Sequence, residues 1–100
     1  MDLATLTAKA SEALSAGGDF NKVVKFDFGS IGKLLLDGVN GKATNEDGDA
    51  DATISVDWDD FTSLLQGKLD PTMAFMQGKL KVAGDMSVAM KLQSLLSKLT

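Results

Sequence analysis

The sequence predicts an α+β fold: a five-stranded, mainly antiparallel sheet covered on one face by helices. Three observations predict it. Short runs alternate apolar and polar residues with period two, as in Val24, Phe26 and Phe28 or Ala52, Ile54 and Val56, which puts one side of each strand in a core. Apolar residues recur at helical spacing at both ends of the chain and in a middle block. Glycine, asparagine and Asp-Pro signals separate these runs at short intervals. One hundred residues with 44% hydrophobic content supply one core, so a single domain over 1–100 is expected.

The elements follow in order. Leu3, Leu6, Ala10, Ala13 and Leu14 form a thin helical stripe that Gly17-Gly18 ends, giving an N-terminal helix over 1–17 that docks weakly. Val24 to Phe28 and Lys33 to Asp37 are strands joined through Gly29-Ser30-Ile31-Gly32 as a hairpin. Asn40-Gly41 predicts a type I′ turn, with positive φ at both residues, leading into a polar third strand from Lys42 that lies toward a sheet edge. After the acidic loop 45–51, Ala52 to Val56 is the fourth strand, and Asp57 is placed to cap a helix carrying Trp58, Phe61, Leu64 and Leu65 that Gly67 ends. Asp70-Pro71 starts a short helix, because proline at the first helical position has no N–H to lose. Lys79-Leu80-Lys81-Val82 is the fifth strand, with the leucine and valine inward and both lysines in water. Gly84 then permits a turn and Asp85 caps a final helix, whose wheel sets Val88, Leu92, Leu95, Leu96 and Leu99 on one face, with Met86 and Met90 widening the apolar arc.

Composition removes whole classes of chemistry. The chain has no His, Cys, Tyr or Arg, and all ten basic residues are Lys. There is no histidine base, no thiolate and no guanidinium fork to grip a phosphate in two places. The remaining Asp, Glu, Lys, Ser and Thr form no recognisable nucleophile and base pair, so no catalytic residue and no enzyme is expected. A net charge of −4 argues against nucleic acid. No apolar stretch reaches membrane-spanning length, and Met1-Asp2-Leu3 opens without a signal-peptide pattern, so a soluble intracellular protein is expected. Binding of a mostly uncharged ligand becomes the leading class.

The run Phe75 to Leu96 carries the most specific signal. Phe75, Gln77-Gly78-Lys79-Leu80-Lys81, Val82, Gly84, Met86 and Ala89-Met90-Lys91-Leu92 resemble the hallmark of the sterol carrier protein type 2 family. Weaker similarity extends back through Gly67-Lys68, Asp59-Asp60-Phe61 and Asn40-Gly41-Lys42 to about Lys22. The resemblance implies a sterol-carrier-like fold with an apolar cavity between sheet and helices, and non-catalytic binding and transfer of a fatty acid, a fatty acyl-CoA, a sterol or a related lipid. It equally admits an accessory module assisting a lipid- or quinone-modifying enzyme. Ser97-Lys98-Leu99 is similar to the peroxisomal address of some members, but that address is read only as a final tripeptide, and Thr100 follows here. A cytoplasmic, bacterial-type monomer is the expectation, with transient membrane or enzyme contact and no cofactor.

The residues expected to line the lipid site are Phe26, Phe28, Trp58, Phe61, Leu64, Leu65, Met73, Phe75, Met76, Gln77, Met86, Met90 and Leu95. Four of the five methionines lie among them, and unbranched, polarizable Met repacks around guests of different shape. The competing reading is that they fill the core of a small domain. Gln77 is the one amide in this neighbourhood, able to bond a ligand hydroxyl or carbonyl, to cap its helix or to face water. Asp47-Gly48-Asp49-Ala50-Asp51 begins like a calcium loop but puts Ala52 where glycine is required and Trp58 where the bidentate Glu belongs, so it reads as a solvated acidic turn with no metal. Asp57, Asp59 and Asp60 read as first-turn acids favoured by the helix dipole. Lys79, Lys81, Lys91 and Lys98 either attract anionic head groups or simply solubilise.

Overall fold

A computed structural model describes residues 2–15, 21–91 and 96, the side chain of Ala89 excepted. In chain order it contains α1 (Leu3–Ser15), β1 (Val23–Asp27), β2 (Lys33–Asp37), β3 (Lys42–Thr44), β4 (Ala52–Val56), α2 (Trp58–Leu65), α3 (Pro71–Met76), β5 (Leu80–Gly84) and α4 (Met86–Met90). A 3-10 turn at Gly29–Ile31 joins β1 to β2. This is the α+β order that alternation and helical spacing predict.

The five strands form one open sheet in the order β3-β2-β1-β4-β5. Three pairings are antiparallel, and β1 with β4 is parallel, which makes the sheet mixed. Alternation sorts the faces. Val24, Phe26, Leu34, Leu36, Ala52, Ile54, Val56 and Leu80 are buried on one side, where Leu6 and Ala10 of α1, Phe61 and Leu64 of α2, Ala74 of α3 and Val88 of α4 join them in one core. Lys25, Leu35 and Thr53 point the other way and stay partly exposed. Parallel strands need a crossover connection, and here residues 45–51, running from β3 past β2 and β1 to β4, complete it without a helix. That strap lies on the polar face, since Lys25 Nζ donates to Asp47 Oδ1 at 2.7 Å and to the Gly48 carbonyl at 3.3 Å, while Gly48 rests against Leu35. Lys25 holds the Asp47 carboxyl below its ordinary value. The acidic turn predicted from sequence is therefore a tether over the sheet.

Three local expectations change. The β2–β3 connection is no type I′ turn, because within that loop only Gly41 has positive φ, at 69°, and Asn40 does not. Asp37 accounts for this: its carboxylate accepts the N–H groups of Val39 and Asn40 at 3.0 and 2.9 Å and the Asn40 amide at 2.7 Å, winding 38–40 before Gly41 closes the loop. Asp57 holds the N-cap position of α2 in extended conformation, yet its side chain caps nothing, unlike Asp70, which accepts from Thr72 N at 2.7 Å, and Asp85, which accepts from Ser87 N at 2.9 Å. Finally, α1 does not dock weakly. Leu6 and Ala10 are fully buried, and the helix packs along β2 and β3.

Candidate functional site

The residues expected to line a ligand site separate into two groups. The first is a packed aromatic cluster. Phe26 lies on the buried side of β1 and Phe28 just past the strand's end, and α2 lays Trp58 and Phe61 over them. Phe61 meets Phe26 and Phe28 edge-on with ring centroids 5.2 and 4.9 Å apart, and Trp58 meets Phe28 at 5.0 Å and 87°. These are the favoured T-shaped geometries. Leu64 is buried beside them and Leu65 packs from the margin. Alternation put the phenylalanines inward, and helical spacing put Trp58 and Phe61 on the facing side of α2.

The second group is in water. Met73 and Phe75 are each 48% exposed, Met86 51%, Met76 74% and Met90 87%. All lie on α3 and α4, both of which pack on β5. In α3 only Ala74 is buried, so a helix of six residues presents two methionines and a phenylalanine to solvent. Gln77 caps α3 through its backbone N–H, which donates to the Met73 carbonyl at 2.9 Å, and its side chain is exposed. Leu95 lies outside the described residues, as do Leu92, Leu99 and Lys98 of the final wheel. The cavity expected between sheet and helices is not defined by the described residues.

Between the two groups runs a floor that sequence reasoning left out. Ile54 on β4, Leu80 on β5 and Val88 on α4 are all buried. Their signal was present, in the alternation Ala52, Ile54, Val56 and in the wheel position of Val88. The start of α4 is fixed by Asp85, whose carboxylate accepts from the Ser87 hydroxyl at 2.7 Å and its N–H at 2.9 Å and pairs with Lys22 at 3.2 Å. These bonds, those to Ser87 foremost, pull its carboxyl down to about 2. Beyond the aromatic cluster, Phe28 and Val56 reach a cleft of about 480 Å³ lined also by Asp27, Asp57, Asp60, Lys79 and Lys81. No helix among the described residues is long and apolar enough to cross a membrane.

The described residues thus combine a buried aromatic cluster on an apolar sheet face with exposed Met and Phe on the two helices that pack on β5. Residues 3–97 match the SCP-2 sterol transfer family. Hydroxysteroid dehydrogenase-like protein 2 of Xenopus tropicalis is 44% identical over 72 residues, covering 68% of this chain and 17% of that protein. Sterol carrier protein 2 of Homo sapiens is 48% identical over 64 residues, covering 61% of this chain and 12% of that protein. The chain thus spans less than a fifth of the length of these curated relatives. The solution structure of sterol carrier protein-2 from Aedes aegypti in complex with palmitate superposes over the whole of both chains with a TM-score of 0.77 at 24% identity. The match over nearly every residue, the five-stranded sheet and the sequence Gln77 to Lys81 agree: this chain belongs to the SCP-2 sterol transfer family.

Proposed function

We propose that this domain binds and transfers a hydrophobic ligand, with the aromatic cluster and Ile54, Leu80 and Val88 as the floor and Met73, Phe75, Met76, Met86 and Met90 as the adaptable rim. The observation that carries it is the exposure of five large apolar side chains on two helices that share β5. A folded domain gains nothing by leaving methionine and phenylalanine in water, and such surface marks a site for a guest or a partner. Family membership selects lipid as the guest, and the palmitate held by the Aedes aegypti relative makes a long acyl chain the first candidate. Burying about fourteen methylenes releases roughly 11 kcal/mol before association costs of about 4–15 kcal/mol. That balance suits a carrier, which must release what it holds.

The test is direct. Solvent extraction of the purified protein followed by lipid mass spectrometry should recover an acyl lipid or sterol, and a fluorescent fatty acid should bind with one-site saturation and be displaced by palmitate. A protein that yields no lipid and binds no probe refutes the reading. Placing a carboxylate on the rim, as in Met76→Asp, should lower probe affinity without unfolding the domain, since Met76 is mostly in water.

A second reading has its own support. In its curated relatives the matched stretch occupies less than a fifth of the protein, and one of those relatives carries a dehydrogenase-like name. A module that presents lipid to an enzyme would use the same rim for contact. Co-purification of a defined enzyme, lost in Met76→Asp, would favour it.

A further inference from the structure

The loop between β2 and β3 holds a reactive dipeptide that its own hydrogen bonds restrain. Of the asparagines in the chain, Asn21, Asn40 and Asn45, only Asn40 is followed by glycine. Asparagine is chemically labile, and with no Cβ at Gly41 nothing shields the backbone nitrogen from the side chain before it. Asn40 is exposed, so water reaches it. In the reaction the Gly41 nitrogen bonds to Asn40 Cγ, the Cγ–Nδ2 bond breaks, and ammonia leaves with the proton that Gly41 gives up. The cyclic imide so formed is opened by water at either carbonyl, to aspartate or to isoaspartate, whose main chain is longer by a methylene. Asp37 opposes ring closure at both reacting groups. Its carbonyl oxygen accepts the Gly41 N–H at 2.9 Å and so engages the proton that must leave. Its carboxylate accepts the Asn40 N–H at 2.9 Å and the Asn40 side-chain amide at 2.7 Å, which holds that amide back toward residue 37.

From this we infer that Asn40 is a site of spontaneous deamidation, restrained by Asp37 while the turn is intact, whose product cannot rebuild the turn. The grip that holds Asn40 rejects what it becomes. An aspartate at 40 sets a second carboxylate within hydrogen-bond distance of Asp37 Oδ2, where an amide donor stood. The donation that keeps the Asp37 carboxyl below its ordinary value, that of the Asn40 amide foremost, is then replaced by repulsion. An isoaspartate adds its methylene directly before Gly41. Gly41 lies against the end of α1, where a Cβ would stand 3.4 Å from the Leu14 carbonyl oxygen, so the longer chain pushes on the helix. The effect spreads from there. β3 is three residues long and sits at the sheet edge, in a register with β2 that begins at Asp37 and Lys42, the two ends of this loop. Because α1 packs along both strands, losing the turn loosens β3 and the seat of α1 together. Other amides lack this chemistry. Asn45 precedes Glu46 and donates to the Lys33 carbonyl and the Thr7 hydroxyl, while Gln66 and Gln77 precede glycine but must close a larger ring.

Incubation of the protein at mildly alkaline pH and raised temperature tests this, with tryptic mapping of segment 34–42 and fragmentation that places the change at residue 40. The folded protein should convert at least about tenfold more slowly than the same chain in urea, because the Gly41 N–H and the Asn40 amide are released only when the turn opens. Asp37→Ser keeps one oxygen for the turn N–H groups and drops the one that holds the Asn40 amide, so conversion should speed up. Asp37→Ala drops both and should speed it further, the rates being compared where urea curves show each variant folded. Val56→Ala weakens the core at the opposite end of β4 and should stay near the wild-type rate, which separates release of this turn from general instability. Asn45, Gln66 and Gln77 should remain unconverted over the same period. Each conversion adds one negative charge, so ion exchange separates the converted fraction, which should unfold at lower urea than its parent. Equal rates in the folded and unfolded chain, no conversion in either, or an Asp37→Ser rate no higher than that of wild type or of Val56→Ala overturns the inference. A converted fraction as stable as its parent overturns it too.

Discussion

The two ends of the sheet treat apolar side chains in opposite ways. At the β3 end, α1 buries Leu6 and Ala10 completely along β2 and β3, and Asn45 ties the strap to the helix through Thr7 at 3.0 Å. At the β5 end, α3 and α4 bury Ala74 and Val88 but leave the larger Met73, Phe75, Met76, Met86 and Met90 in water. One sequence thus spends its apolar surface on itself at one edge and withholds it at the other. Withheld surface costs stability that a purely structural domain would recover, and its concentration at the β5 end among the described residues, against the single side chains Ile31 and Val39 elsewhere, is what the proposed site accounts for.

The core between the ends should show the largest effect. Phe61→Ala removes the ring that touches Phe26, Phe28 and Trp58 and should cost about 3–5 kcal/mol, measured by urea denaturation. Leu6→Ala should cost about 2–5 kcal/mol. A loss under about 1 kcal/mol at Leu6 would mean that α1 is not part of the core and would erase the contrast between the two ends.

Gly84→Ala comes next. Gly84 sits at φ 100°, where a Cβ would collide with the Asp51 carbonyl oxygen and approach Ala52 Cα at 3.1 Å. Backbone strain alone should cost about 1–3 kcal/mol, read from the same denaturation curves. Because Gly84 links β5 to α4, the variant should also lower fatty acid uptake; unchanged uptake would detach the ligand site from the path of α4.

Much of this was legible beforehand, for a physical reason. Side-chain alternation has a single period and a single sign, so Val24, Phe26, Phe28 and Ala52, Ile54, Val56 declare their buried face directly. The helix starts at Asp70 and Asp85 were equally readable, because capping is a local bond between a carboxylate and an N–H two residues on. Strength of docking was not. The stripe of α1 is thin, and its burial depends on β2 and β3, which only the tertiary fold brings beneath it. The Asn40-Gly41 turn misled because Asp37, three residues earlier, competes for the same N–H groups. At the site, spacing identified the apolar residues but could not divide floor from rim: Phe61 and Met76 look alike in composition, and what separates them is a facing strand.

Asp85 sharpens the comparison through pH. Its carboxyl is held at about 2 against an ordinary 3.8 by Ser87 and then Lys22. A depressed folded value means the contribution is complete above 3.8 and disappears as pH falls toward about 2. Urea midpoints should therefore drop across that window in the wild type, and part of the drop should vanish in Asp85→Asn. The effect is modest, because the pair is exposed and screened. An identical acid limb in the variant would show that the start of α4 is held by other contacts.

The smallest effect on stability is the most discriminating. Met76→Ala and Met90→Ala remove side chains that are mostly solvated, so each should change unfolding free energy by no more than about 0.5 kcal/mol. A rim residue that contributes nothing to the fold can still be required by the guest, so the same variants should weaken fatty acid binding severalfold, each lost methylene contact being worth up to about 0.8 kcal/mol. The ratio of these two effects carries the argument. At Leu6 it should run the other way, with a large loss of stability and unchanged affinity among the molecules still folded. If Met76→Ala instead destabilises the domain as Leu6→Ala does, the methionines belong to the core and the two ends of the sheet are alike.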